Sequence, residues 1–269
     1  MAFASNDARN QLEVASTTIG NAYPVAAGYS NNVMGSAPAI RGFAGQVFIA
    51  YQSADIFDRL CITSSPTGAN FPTAACTGTV LIGSAPALAA FTNGLYVAFQ
   101  SDDPTHRLCI TSSPTGTNFP TAACTTSVLI GSAPSMVAFK NKLYVGFRAN
   151  DSSNNAFIAS SSDGTNFTSQ YLSQTMGGDS SPALAISLDG GTLYYIYGAN
   201  DAANEMLVMT STDGSTWSGP AVYAGVKMGA AGPAATPFLN VNTGTQGITV
   251  GFPPNDSTNV LFTTNKNTN

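Results

Sequence analysis

The chain has 269 residues, 43% of them apolar and only 9% charged, with a formal net charge of −5. That apolar content excludes a disordered chain, so the low charge means a surface coated by Ser, Thr, Asn and Gly. Nine Lys and Arg, nowhere clustered, against 14 Asp and Glu exclude nucleic acid or an anionic membrane surface as partner. No apolar run reaches the roughly 20 residues of a spanning helix, so membrane insertion is not expected. The opening MAFASNDARN lacks a charged-then-apolar leader, and any export signal is expected to have been removed or never to have existed.

Taken in order, the residues spell short strands and turns with no sustained helical period. AFASNDARNQLEVAS, from Ala2, reads as a hairpin turning at Asp7. A four-strand module follows. In the copy from Ser84, strand A is SAPALAAF, strand B NGLYVAFQ, strand C RLCITSS and strand D TTSVLIG, each bounded by Gly, Pro, Asn, Asp or Ser. Its proline sets the period: Pro38, Pro86, Pro134 and Pro182 stand 48 residues apart, and Pro233 follows after 51. The chain closes on one more B–C hairpin, VGFPPNDSTNVLFTTN.

A strand-rich period of this length indicates propeller blades, and radial repetition leaves only short protected sheet edges. The expected fold is all-β: a single β-propeller domain over 1–269, with repeats at 1–35 (partial), 36–83, 84–131, 132–179, 180–230 and 231–269 (partial). The B–C hairpin occurs six times but strands A and D five, which favours six blades with incomplete end copies over five. Partial ends also suit a piece of a longer array, or a homo-oligomer in which two chains complete each other's blades.

Every B–C hairpin carries an Asp: Asp7, Asp55, Asp103, Asp151, Asp201 and Asp256. A carboxylate there accepts backbone N–H bonds within its own turn, which outweighs the alternative of an acidic ring for calcium or sugar hydroxyls. The rings ending strand B (Phe3, Tyr51, Phe99, Phe147, Tyr197 and Phe252) are expected to pack between sheets. Their successors, Ala4, Gln52, Gln100, Arg148, Gly198 and Pro253, point the other way and vary, so recognition can be written there. With the B–C hairpins and the GSAP links on one face, Gln52, Gln100, Arg148, Asp58, Arg59, His106 and Arg107 would border crevices between blades as ligand-binding residues. His106, the sole histidine, matches Asp58, Asn154 and Asn204 in other copies, which marks a turn position and leaves no Ser–His–Asp triad.

The C–D connections run TSSPTGANF, TSSPTGTNF, ASSSDGTNF and TSTDGSTW. The last two resemble the Asp-box of sialidase-like (BNR-like) propellers, a Ser/Thr, Asp, Gly, Thr, aromatic hairpin between a blade's outer strands. Asp163 or Asp213, Gly164 or Gly214, and Phe167 or Trp217 take its positions. The loop is a residue short, and Thr67 and Thr115 replace the Asp in two copies, so the motif is degenerate. The resemblance spans nearly the whole chain at the level of blades. It implies that the box is a structural device remote from any active site, with Trp217 a turn anchor. Catalysis in that family takes three arginines, a Tyr–Glu pair and a further acid. Here the arginines are Arg9, Arg41, Arg59, Arg107 and Arg148, two of them copies of one position, and the glutamates are Glu13 and Glu205, so no enzyme is expected.

Cys61 with Cys76, and Cys109 with Cys124, occupy strands C and D of successive copies, where other copies place Phe157 with Leu172 and Leu207 with Val222. Two hairpin disulfides are expected, each closing a loop of ~15 residues and adding about 3 kcal/mol; the alternative is reduced cysteines in the core. Disulfides imply an oxidising compartment, and the sequons at Asn150, Asn166 and Asn255 suit a secreted protein. The cysteines lack CxxC spacing for zinc; no cofactor is expected, and calcium at hairpins such as Asp102 and Asp103 is the one ion left open. The functional expectation is a secreted, lectin-like protein binding a glycan or glycoprotein at repeated weak sites that gain by multivalency. A structural or protein-interaction scaffold, part of a larger surface protein, is the alternative, ahead of a sialidase-type hydrolase.

Overall fold

A computed structural model describes residues 1–5, 7–15, 26–92, 94–177, 180–201, 204–228, 232–240, 245–252 and 262–267. Among these residues every regular element is a β-strand, and the strands form six antiparallel meanders. The hairpin turn at Asp256 lies outside the described residues.

The chain divides into two compact units, Met1–Ser127 and Val128–Asn269. In the first lie the sheets β1 (Ala2–Ala4), β2 (Gln11–Val14), β3 (Ala27–Val33); β4 (Ala39–Phe43), β5 (Gln46–Gln52), β6 (Arg59–Ser65), β7 (Ala75–Leu81); and β8 (Ala87–Phe91), β9 (Gly94–Gln100), β10 (Arg107–Ser113), β11 (Ala123–Leu129), whose last two residues cross the division. The second holds β12 (Ser135–Phe139), β13 (Lys142–Arg148), β14 (Asn155–Ser161), β15 (Thr168–Thr175); β16 (Ala183–Ile186), β17 (Leu193–Gly198), β18 (Glu205–Ser211), β19 (Ser218–Lys227); and β20 (Ala234–Asn240), β21 (Thr245–Phe252), β22 (Phe262–Asn267). The first sheet and the last have three strands each, and the four between them have four.

Second strands such as β9 (GLYVAFQ) and β17 (LYYIYG) are buried along nearly their whole length. A strand covered on both faces reads as a continuous apolar run rather than an alternation. Fourth strands such as β7 and β11 are mostly exposed, with only Val80 and Val128 turned inward. Tyr51, Phe99, Phe147, Tyr197 and Phe252 are buried, and Tyr51 joins Leu12, Val14 and Met34 of the preceding sheet in one cluster. Phe99 and Tyr197 do likewise with the sheets before theirs. Each such side chain contributes about 1.5–3 kcal/mol of burial.

The GSAP links have a specific geometry. The N–H groups of Gly35, Gly83 and Gly131 donate to the carbonyls of Gln52, Gln100 and Arg148, and Ser36, Ser84 and Ser132 Oγ accept from the N–H groups of those same residues at 3.1–3.2 Å. A β-carbon on Gly35, Gly83 or Gly131 would lie 2.3–2.7 Å from a strand carbonyl, so only glycine permits the approach.

Both disulfides form, with Cα atoms 3.9 and 4.0 Å apart. Leu207 faces Val222 as expected. Phe157, however, faces Tyr171 and not Leu172. The connection before β15 is shorter than that before β7, and a one-residue slip exchanges faces: Leu172 turns into the core while the Tyr171 ring, 5.5 Å from Phe157, stays half exposed.

Candidate functional site

Three of the B–C hairpins are built alike from Ser-x-Asp. Ser5, Ser53 and Ser101 donate through Oγ to Asp7, Asp55 and Asp103, at 2.7, 2.7 and 3.0 Å. The same carboxylates accept the N–H of Arg9, Phe57 and Thr105, and the serine oxygens accept the N–H of Gln11, Arg59 and Arg107. Asp151 accepts from Ser153 and Asp201 from Asn204. The aspartates are therefore turn-formers. The Ser5 and Ser53 hydroxyls, with backbone N–H groups, hold Asp7 and Asp55 below the usual carboxylate range, and Thr105 does so most strongly for Asp103.

The position three residues on is left-handed in every described copy, with φ of 47–53° at Asn10, Asp58, His106, Asn154 and Asn204. Asn and Asp tolerate that region best. The carbonyls of Asn10, Asp58, Asn154 and Asn204 accept the N–H of Met34, Ile82, Met176 and Met228 at 2.8–2.9 Å, tying hairpin to link. Asp58 and His106, expected at the ligand site, therefore hold backbone geometry first.

Arg59 and Arg107 close ion pairs with Asp55 and Asp103, the latter at 3.1 Å, and about a third of each side chain stays exposed. Arg59 Nε and His106 Nδ1 are enclosed with no hydrogen-bond partner. Gln52 Nε2 donates to the Ile82 carbonyl at 2.5 Å, immediately before the link that engages Gln100. In the first unit Gln52 and Asp58 thus meet at one link beside the backbone partner of Gln100, and Arg59 pairs with Leu81 just before it. Arg148, in the second unit, donates to Asn154 Oδ1 at 2.6 Å and to the Gly131 carbonyl, so its guanidinium is largely committed to the fold. Gln100 is buried.

No protein-family model matches the sequence, and no curated protein matches it. Solved structures do. A triple arginine-to-alanine mutant of AofleA from Arthrobotrys oligospora is similar over 96% of this chain and 77% of its own, at 13% identity and a TM-score of 0.73. A mutant of the Aleuria aurantia lectin in complex with α-methyl-L-fucoside is similar over 98% of this chain and 88% of its own, at 16% identity and 0.69. The Hadza microbial sialidase Hz136 is similar over 81% of this chain and 53% of its own, at 15% identity and 0.59. The fold is a β-propeller.

In this propeller one feature of the site escaped the sequence reading. Ile56 and Phe57, at the tip of the second hairpin, are 90% and 57% exposed, and the Arg59 guanidinium lies 5.6 Å from the centre of the Phe57 ring. The signal was available, since the other copies place Pro104 with Thr105 and Ser152 with Ser153 there. Among the described residues no three His, Cys, Asp or Glu side chains gather to hold a metal ion.

At the other end of the blades, Asp163 accepts from Ser161 Oγ and from the N–H groups of Thr165 and Asn166, all at 2.8 Å, and Asp213 repeats the pattern with Ser215 and Thr216. Those backbone donors hold both carboxyls far below their ordinary range. Trp217 packs edge-on against Tyr195 at 6.2 Å, at the margin of the core cluster that holds Tyr195.

Proposed function

We propose that this chain is a secreted, lectin-like propeller that binds glycans in the crevices where B–C hairpins meet the links, and that it is not an enzyme. The observation that carries the reading is the Arg59–Asp55 pair, partly exposed beneath the Phe57 ring. A fixed guanidinium and carboxylate supply directed hydrogen bonds to sugar hydroxyls, and an exposed ring supplies an apolar face. Gln52, Asp58 and Gln100 line the link beside Arg59, Arg107 with Asp103 repeats the polar half on the next hairpin together with His106, and Arg148 serves a third crevice. The fold shared with a lectin crystallised with α-methyl-L-fucoside supports the reading, and two disulfides support an extracellular location.

We take residues 1–269 as one domain of six blades, with three strands in the first and last, and the turns at Asp163 and Asp213 as Asp-boxes. A non-catalytic role is supported by the carboxylates of Asp55, Asp103, Asp163 and Asp213, whose oxygens are engaged by turns or by arginine, whereas glycosidases keep a juxtaposed pair free for chemistry.

A glycan array probed with the wild-type protein and with Phe57→Ala and Arg59→Ala tests the proposal. Binding that falls at least ~10-fold in each variant, about 1.4 kcal/mol, is expected. An array without a sugar hit, or hits indifferent to both variants, overturns it. The exposed Ile56–Phe57 tip favours a second reading, a protein-interaction scaffold; capture of a defined protein that Ile56→Ser abolishes, with no sugar bound, is its outcome.

A further inference from the structure

The first unit has a second concavity, away from the hairpin–link crevices. Strand β7 and the connection 116–121 enclose a cleft of about 590 Å³. That volume is in the range of small-molecule sites. Its apolar floor is made by the exposed Pro72, Ala75 and Pro120 over the buried rings of Phe48 and Phe119, and none of its lining residues carries a charge. Among the described residues the hydroxyls of Thr73, Thr79 and Thr121 and the carboxamide of Asn118 line it without a hydrogen-bond partner in the protein.

One further observation singles this cleft out. In the second unit the matching flank is shut: Gln170 of β15 donates from Nε2 to the Ser215 carbonyl at 2.8 Å. Gln170 faces Ile158 as Ala75 faces Ile62, so the first unit is open because alanine replaces the bridging glutamine.

We infer that this cleft is a separate binding site for a neutral oligosaccharide. An uncharged wall gives a charged ligand no partner to replace its hydration, while hydroxyl and amide groups around an apolar floor match the alternating hydroxyl and C–H faces of a sugar ring. An added peptide strand fits less well. β7 slips register against β6 between Arg59 and Cys61, and an irregular edge is a poor template for strand addition.

The test is a titration of the ¹⁵N-labelled full chain with cellohexaose, mannohexaose and chitohexaose, and with a Thr/Val-alternating peptide as the strand control. One of the sugars, at up to ~10 mM to reach millimolar affinity, is expected to shift the amides of Thr73, Thr79, Asn118 and Thr121. Ala75→Gln, which installs the bridge of the second unit, should weaken that binding at least ~10-fold without lowering Tm. Arg59→Ala should leave it unchanged, which separates failure here from failure of the hairpin site. Silence at those amides with all three sugars, shifts undiminished in Ala75→Gln, or a response to the peptide alone overturns the inference.

Discussion

Gly116 lies in a C–D turn at φ +78°, and a β-carbon there would fall 2.5 Å from Cε1 and Cζ of Phe48, a ring 1% exposed in the core. Gly45 has nearly the same backbone, φ +75°, with no atom within 4 Å of its added carbon. Alanine at either site incurs the left-handed penalty, about 1–2 kcal/mol. Only Gly116→Ala must also displace a buried ring by roughly 1 Å to restore ordinary contact, an overpacking cost of about 1–3 kcal/mol. Urea unfolding followed by circular dichroism should therefore show losses of about 1–2 kcal/mol for Gly45→Ala and about 2–5 kcal/mol for Gly116→Ala. The excess should largely vanish in a Phe48→Leu background, since the two residues touch. Equal losses in the two variants would refute the claim that a turn of one sheet is seated against a ring of the preceding sheet.

Tyr195 is fully buried and donates to the Phe147 or Phe157 carbonyl, at 3.1 and 3.3 Å, across to the neighbouring sheet; Tyr195→Phe should cost about 1–3 kcal/mol in the same assay, and no loss would show the hydroxyl to be idle. Burial holds the Tyr51 phenol up to about 12 and raises those of Tyr195 and Tyr197. The folded chain keeps protons that the unfolded chain releases near 10, so this stabilisation is whole below pH 10 and is lost as pH climbs toward 12. Phenolate absorbance for these three should rise only with unfolding; ionisation near 10 with circular dichroism intact would contradict their burial. Replacing Cys61 and Cys76 together by Ser should remove about 3 kcal/mol, and a loss near zero would mean that the neighbouring strands already hold that loop.

Much of the fold was legible because the repeat constrains it at several scales at once. A 48-residue period, a proline before each A strand and an aromatic closing each B strand leave little freedom, and the RLCITSS strand boundaries agree with β6 and β10. His106 was readable as a turn residue because its repeat mates are Asp and Asn, which favour the left-handed region. Less legible was where long side chains end: Arg148 and Gln52 spend their donors on link carbonyls, which no spacing rule discloses. The Phe157 partner was misplaced because the connection length changes between copies. The cleft beside β7 could not be read at all, since it arises from a short side chain at Ala75 facing a loop some 40 residues further on.

The most direct test of the central claim is a crystal structure of this protein with the strongest ligand of the glycan array. Sugar density within hydrogen-bonding distance of the Arg59 guanidinium, against the Phe57 ring and beside the link at Ile82, is the predicted result. A ligand that leaves every hairpin–link crevice empty would contradict it.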